Sequence, residues 1–158
     1  MKTSSELLIA ELKKLLNGGG AHVGFNEAVK GLTLEQVGQQ VYNLPYSIWQ
    51  LAEHIRIAQW DMLEFSKDGN HQSPEWPEGY WPKEAAPEDL ATWEKTLKQI
   101  DQDREAFIQL LETSDLYAEI PHGSGQSILR EALQIADHNA YHIAEIVVAR
   151  RLLGIWKS

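Results

Sequence analysis

His138 and His142 stand four residues apart in the segment Ala136-Asp137-His138-Asn139-Ala140-Tyr141-His142-Ile143-Ala144-Glu145. Residues at i and i+4 share one face of an α-helix, about 6 Å apart along its axis. Two imidazoles so placed can bind one divalent ion but cannot complete a tetrahedral site, so a third ligand has to come from another helix. His54 is the candidate. Three neutral imidazoles would leave the ion positively charged with an open position, which lowers the pKa of bound water toward 7 or holds a bound thiol as thiolate.

The same spacing also suits ordinary packed histidines, because an i,i+4 pair arises readily by chance. The motif is not the His-Glu-x-x-His of zinc peptidases, since Asn139 occupies the glutamate position, nor does the chain carry the paired Glu-x-x-His motifs of di-iron bundles. There are no cysteines, so thiolate ligands, disulfides and a cysteine nucleophile are excluded together.

The elements that must position these side chains are helical. Apolar residues at helical spacing predict a first helix over 6–16, with Thr3 and Glu6 as a capping box and Asn17-Gly18-Gly19-Gly20 as its stop. Residues 25–29 and 34–40 read as short helical pieces in a long connection. A second helix is expected from Pro45 to about Lys67, with His54 beside its apolar face, and a third from Pro87 to about Glu112. Residues 117–120 read as a short extended bridge. The last long helix is expected to begin after Ser124 and to end at Gly154, with Arg150 and Arg151 complementing its dipole. On it, Ile135, His138, His142, Glu145 or Ile146, and Ala149 succeed one another at three- and four-residue steps, which sets both histidines next to the core face. The pattern predicts an all-α chain, an antiparallel four-helix bundle with long connections, forming a single domain over 1–158.

The 158 residues carry 14 basic and 23 acidic side chains, a formal charge of -9. With no basic stripe or nucleic-acid motif, binding to a phosphate backbone is disfavoured. Neither a signal-peptide pattern nor a membrane-spanning apolar stretch is present, so a cytoplasmic protein without membrane association is expected.

The segments Ala21-His22-Val23-Gly24-Phe25, Leu44-Pro45-Tyr46-Ser47-Ile48-Trp49-Gln50-Leu51-Ala52-Glu53-His54, Asp137-His138-Asn139-Ala140-Tyr141-His142 and Arg150-Arg151-Leu152-Leu153-Gly154 together resemble the DinB-like (damage-inducible, YfiT-related) superfamily over nearly the full length. The specific part is one histidine in the second long helix and His-x-x-x-His in the fourth. The resemblance implies a bundle of DinB/YfiT-like type in which His54, His138 and His142 hold one divalent metal ion, zinc or nickel, in a pocket at one end. It further implies a metal-dependent hydrolase or thiol S-transferase of detoxification or stress response, acting on a small electrophilic substrate with water or a low-molecular-weight thiol such as bacillithiol or mycothiol. A homodimer is the expected assembly. The alternative is a non-catalytic metal- or small-molecule-binding bundle in stress response.

Other residues have weaker claims. Many family members carry glutamine where this chain has Glu145, and Glu145 is expected to face solvent. Glu53 and Asp137 are expected to be packing or surface carboxylates, and Tyr141 and Trp60 to pack. Trp49 and Trp81 are candidates for a pocket wall or for the core. His71 and His122 are expected to be ordinary exposed histidines, His22 is a minor candidate for the pocket mouth, and the loop between Trp76 and Trp81 is a candidate lid.

Overall fold

The computed structural model describes residues 3–157. Among these the chain forms six α-helices: α1 (Ser4–Leu16), α2 (Phe25–Val29), α3 (Leu34–Gly38), α4 (Ile48–Lys67), α5 (Leu90–Thr113) and α6 (Ile128–Leu152), of which α1, α4, α5 and α6 are long. A single 3-10 turn, Glu78–Tyr80, lies in the connection from α4 to α5. No β-strand occurs among the described residues, and the extended reading of 117–120 reduces to an isolated bridge between Glu119 and Ser127.

Caps decide where the helices start. Thr3 and Glu6 form the expected capping box on α1. On α4, Ser47 accepts from the Gln50 N–H at 3.2 Å while the Gln50 side chain accepts from the Ser47 N–H, so the helix begins at Ile48 and Pro45 stands outside it. The reciprocal bonds satisfy two otherwise unpaired donors, which a proline at the first position cannot do. Likewise Asp89 caps α5 and Ser127 caps α6, leaving Pro87 and Ser124 in the preceding loops.

Two buried clusters show how the long helices run. Ile48–Ile55 of α4, Trp93 and Ile100 of α5, and Ile143–Ala149 of α6 share one. Leu63 of α4, Phe107 to Leu111 of α5, and Ile128 to Ala136 of α6 share the other, with Leu12 and Leu16 of α1. Helices α4 and α5 therefore pass from the first cluster to the second in the same direction, and α6 returns against them. Strict antiparallel alternation does not hold for α4 and α5, because the long connection 68–89 carries the chain back to the end at which α4 began. That return path crosses α4 beside His54.

Candidate metal centre

The i,i+4 spacing on α6 and the antiparallel approach of α4 bring His54, His138 and His142 together. One nitrogen from each ring lies within 4.8 Å of the others, and His54 Nε2 and His138 Nε2 are 3.0 Å apart. His54 and His142 are buried and His138 is half-buried. A tetrahedral zinc ion with Zn–N bonds of about 2.0–2.1 Å spaces its ligand nitrogens about 3.3 Å apart, a value the cluster brackets.

The surroundings fix which nitrogen of each ring is free. His54 Nδ1 lies 2.9 Å from the Tyr80 carbonyl, which can only accept, so this nitrogen carries the proton and Nε2 is left with its lone pair. His142 Nδ1 donates in the same sense to the Glu145 carboxylate at 2.7 Å. His138 Nδ1 faces the Asn139 amide oxygen at a longer 3.4 Å. Two Nε2 atoms 3.0 Å apart, with the His54 lone pair aimed at its neighbour, require a proton or a cation between them. The donor set fits a divalent ion, with outer acceptors that set tautomer and ring orientation as metal-bound histidines require.

Burial favours the neutral rings. It holds the pKa of His138 down to about 4, helped by the neighbouring His142 and His54, and that of His142 down to about 4, helped by His54. His54 is also lowered, again chiefly by burial. Neutral imidazole is the form that binds metal, so protons compete little near pH 7.

A strap from the α4–α5 connection completes the surroundings. The Trp81 ring stacks on His54 at 3.8 Å between centroids, and Tyr46 stacks on the other face of Trp81 at 3.8 Å. The Tyr80 hydroxyl donates to Asp61 Oδ2 at 2.6 Å, and His71 Nε2 bonds Asp61 Oδ1 at 2.7 Å, so Asp61 grips both ends of residues 71–80. Burial and Asp61 push the Tyr80 phenol up to about 12, keeping it a donor.

The model of the DinB superfamily matches residues 22–146, which include all three histidines, the whole of α4 and α5 and most of α6. The chain belongs to the DinB superfamily. No curated protein and no solved structure gives a significant match. For this DinB-superfamily chain, family membership and the buried three-histidine group agree on a place where a metal ion could sit.

Several neighbours differ from their sequence readings. Glu145 does not face away: three residues beyond His142, it is close enough on the same helical face to accept from that ring. His71 is not an ordinary exposed histidine, since its side chain is largely covered against Trp60 and bound to Asp61. Asp61 follows His54 by seven residues and so shares its face of α4. His22 lines a different cavity, of about 390 Å³, with Gln59, Arg104 and Asn139, and its Nδ1 is bonded to the Val23 carbonyl.

Glu53, Asp137, Trp49, Trp81 and His122 stand where the sequence placed them, and Tyr141 does not. Glu53 packs between helices, held by Arg56 at 2.8 and 2.9 Å and by the Thr96 hydroxyl at 2.6 Å. Asp137 is exposed. Trp49 is a core residue, its ring edge-on to Trp93, and Trp81 is the site wall. Exposed His122 bonds the Phe65 carbonyl. Tyr141, expected to pack, is exposed but sets its ring edge-on to His142 at 4.9 Å. Among the described residues, no helix is long and apolar enough to cross a membrane.

Proposed function

We propose that this DinB-superfamily chain is a single-domain, metal-dependent enzyme, a four-helix bundle in which His54, His138 and His142 ligate one divalent ion, zinc or nickel. The observation that carries the reading is the convergence of three imidazoles, two of which, His54 and His142, already commit their outer nitrogens to acceptors. These three residues would hold a divalent ion, which when bound would supply Lewis acidity enough to make water or a low-molecular-weight thiol a nucleophile near neutral pH. The substrate is a small electrophile.

The chain's own residues have supporting roles. Tyr80 and Glu145 hold His54 and His142 in the tautomers that present Nε2. Trp81 covers one face of His54 and limits water there. No side chain of the protein is needed as the nucleophile, in keeping with the absence of cysteine.

Metal content tests this directly. Tag-free wild type and His138→Ala are purified without added metal and measured by inductively coupled plasma mass spectrometry. About one divalent ion per wild-type chain, lost in the variant, is expected, and low-molecular-weight thiols added to the cobalt-loaded wild type should produce a thiolate-to-cobalt absorption band. Absence of metal after reconstitution would overturn the reading. A bound ion whose spectrum responds to neither thiols nor small anions would favour the non-catalytic bundle instead.

A further inference from the structure

The cavity of about 390 Å³ that His22 lines opens where the two buried clusters meet. Leu16 and Ala136 bring the edge of one cluster to it, and Phe25, Ile100 and Ile143 the edge of the other. None of the three histidines of the candidate metal centre lines it. One wall is bare backbone: Gly18, at φ 109°, passes so close to Gly24 that a Cβ on it would stand 2.7 Å from the Gly24 Cα. The space is more than ten times the roughly 30 Å³ that one water occupies.

Polar side chains form a layer between the two apolar ends. Gln59 and Asn139 bond each other at 2.9 Å, and Gln59 also bonds the Ile100 carbonyl, so this pair is committed within the protein. Arg104 is not. Its side chain is only 15 % exposed, and its one ion-pair partner among the described residues is Asp101, whose Oδ1 lies 2.7 Å from Nη2 and is shared with the Asn26 amide. Its Nε is buried and has no hydrogen-bond partner. A guanidinium carries five N–H donors, and a largely covered charge held at a single point is under-satisfied. Arg104 is also the one Arg or Lys in the lining, while the exposed Glu27 is paired with Lys30.

We propose that this cavity is a binding site for a small monocarboxylate, with the carboxylate on the Arg104 guanidinium and the apolar body between Leu16, Phe25, Ile100 and Ile143. A planar carboxylate matches the donor fork of arginine and supplies the acceptors that Arg104 lacks. A neutral molecule would leave that charge as it is. A dianion would bring a second charge to a lining with a single cation, in a chain of formal charge -9. The proposal does not rest on the metal-dependent reading above.

The test compares acids with their neutral amides. Acetate, butyrate and benzoate, each beside its amide, are titrated into the 15N-labelled full chain, with the Arg104 Nε–H resonance and the backbone amides of Asn26 and Ala140 as reporters. Benzoate should shift these resonances and bind about tenfold or more tighter than benzamide, the gain of a charge-assisted bond over a neutral one. Arg104→Met should erase that difference, and Ala140→Leu, which enlarges a wall residue on α6, should remove binding of both. His138→Ala should leave benzoate affinity unchanged. Thermal melts check that each variant folds, and the wild-type comparison of acid with amide decides the matter even where one does not.

Absence of shifts with all three acids would show that the cavity holds only water and would overturn the proposal. Equal affinity for benzoate and benzamide, or a preference that survives Arg104→Met, would do the same. Shifts that centre on the histidines and vanish in His138→Ala would put the acid on a bound metal ion, which overturns this proposal and leaves the metal reading standing.

Discussion

The Tyr80 hydroxyl donates to Asp61 Oδ2 at 2.6 Å, while the carbonyl of the same Tyr80 accepts from His54 Nδ1 at 2.9 Å. Asp61 and His54 are seven residues apart on one face of α4, so the helix anchors the strap with one side chain and receives the orientation of its histidine in return. Trp81, the next residue, is thereby laid flat on the imidazole.

Breaking the anchor should loosen the metal site without removing a ligand. Tyr80→Phe deletes only the hydroxyl and should cost about 1 kcal/mol of folding stability, the usual net value of one hydrogen bond. Asp61→Ala also releases His71 and should be more harmful. Both should weaken zinc affinity about tenfold to hundredfold, as loss of outer partners of metal-bound histidines commonly does. Competition with a chromophoric chelator measures this. Unchanged affinity in both variants would mean that the stack of Tyr46, Trp81 and His54 seats the strap unaided.

Glu145 predicts a graded series. Glu145→Gln keeps an oxygen acceptor for His142 Nδ1 and should hold zinc within a few-fold of wild type. Glu145→Leu removes the acceptor and leaves the ring free to take the other tautomer, so affinity should fall by about tenfold or more. If the leucine variant binds as tightly as the glutamine one, the 2.7 Å contact does not orient the ring.

The helices and the ligand candidates were legible because they rest on local rules. Apolar spacing marked α4, α5 and α6, and an i,i+4 pair has one geometry on a helix. What lay beyond reach depends on contacts between distant segments. Nothing local says that the connection 68–89 returns over α4, so the parallel run of α4 and α5, the stacking of Trp81 on His54 and the grip of Asp61 on Tyr80 and His71 required the fold. Arg150 is a further instance. Its place in the last turn of α6 complements the helix dipole, and beyond that it is buried, donates to the Ala28 carbonyl of α2 at 2.6 Å and lies over Trp156 at 5.0 Å. Glu145 was within reach, since three residues separate it from His142, but the same step also occurs on solvated faces.

Acid should destabilise the metal-free protein in a defined window. His138 and His142 titrate near 4 when folded, against 6.5 for the ordinary imidazole, and burial is the main cause. Between those values the unfolded chain binds more protons than the folded one, so stability rises with pH there. The contribution is fully present above about pH 6.5 and is lost as pH falls toward 4. Urea midpoints of the metal-free protein at pH 7, 5.5 and 4.5 should decline in that order. Replacing both histidines with glutamine should flatten the decline, and an equal slope would place its origin in other groups.

Gln59 tests whether the polar interior beside the cluster supports it. Only 1 % exposed, it donates to the Ile100 carbonyl at 2.8 Å and accepts from the Asn139 amide at 2.9 Å, and the Asn139 oxygen faces His138 Nδ1. Gln59→Leu conserves volume approximately but removes both bonds, leaving the half-buried Asn139 amide without its partner and the Ile100 carbonyl with only its helical one, so unfolding free energy should drop by about 1–2 kcal/mol. Freed from Gln59, Asn139 can rotate away from His138. Zinc affinity should then weaken by several-fold, while His54 and His142, oriented by Tyr80 and Glu145, keep their tautomers. A stability loss with unchanged zinc affinity would show that the amide pair braces the α4–α5–α6 junction and leaves His138 to be oriented by packing alone.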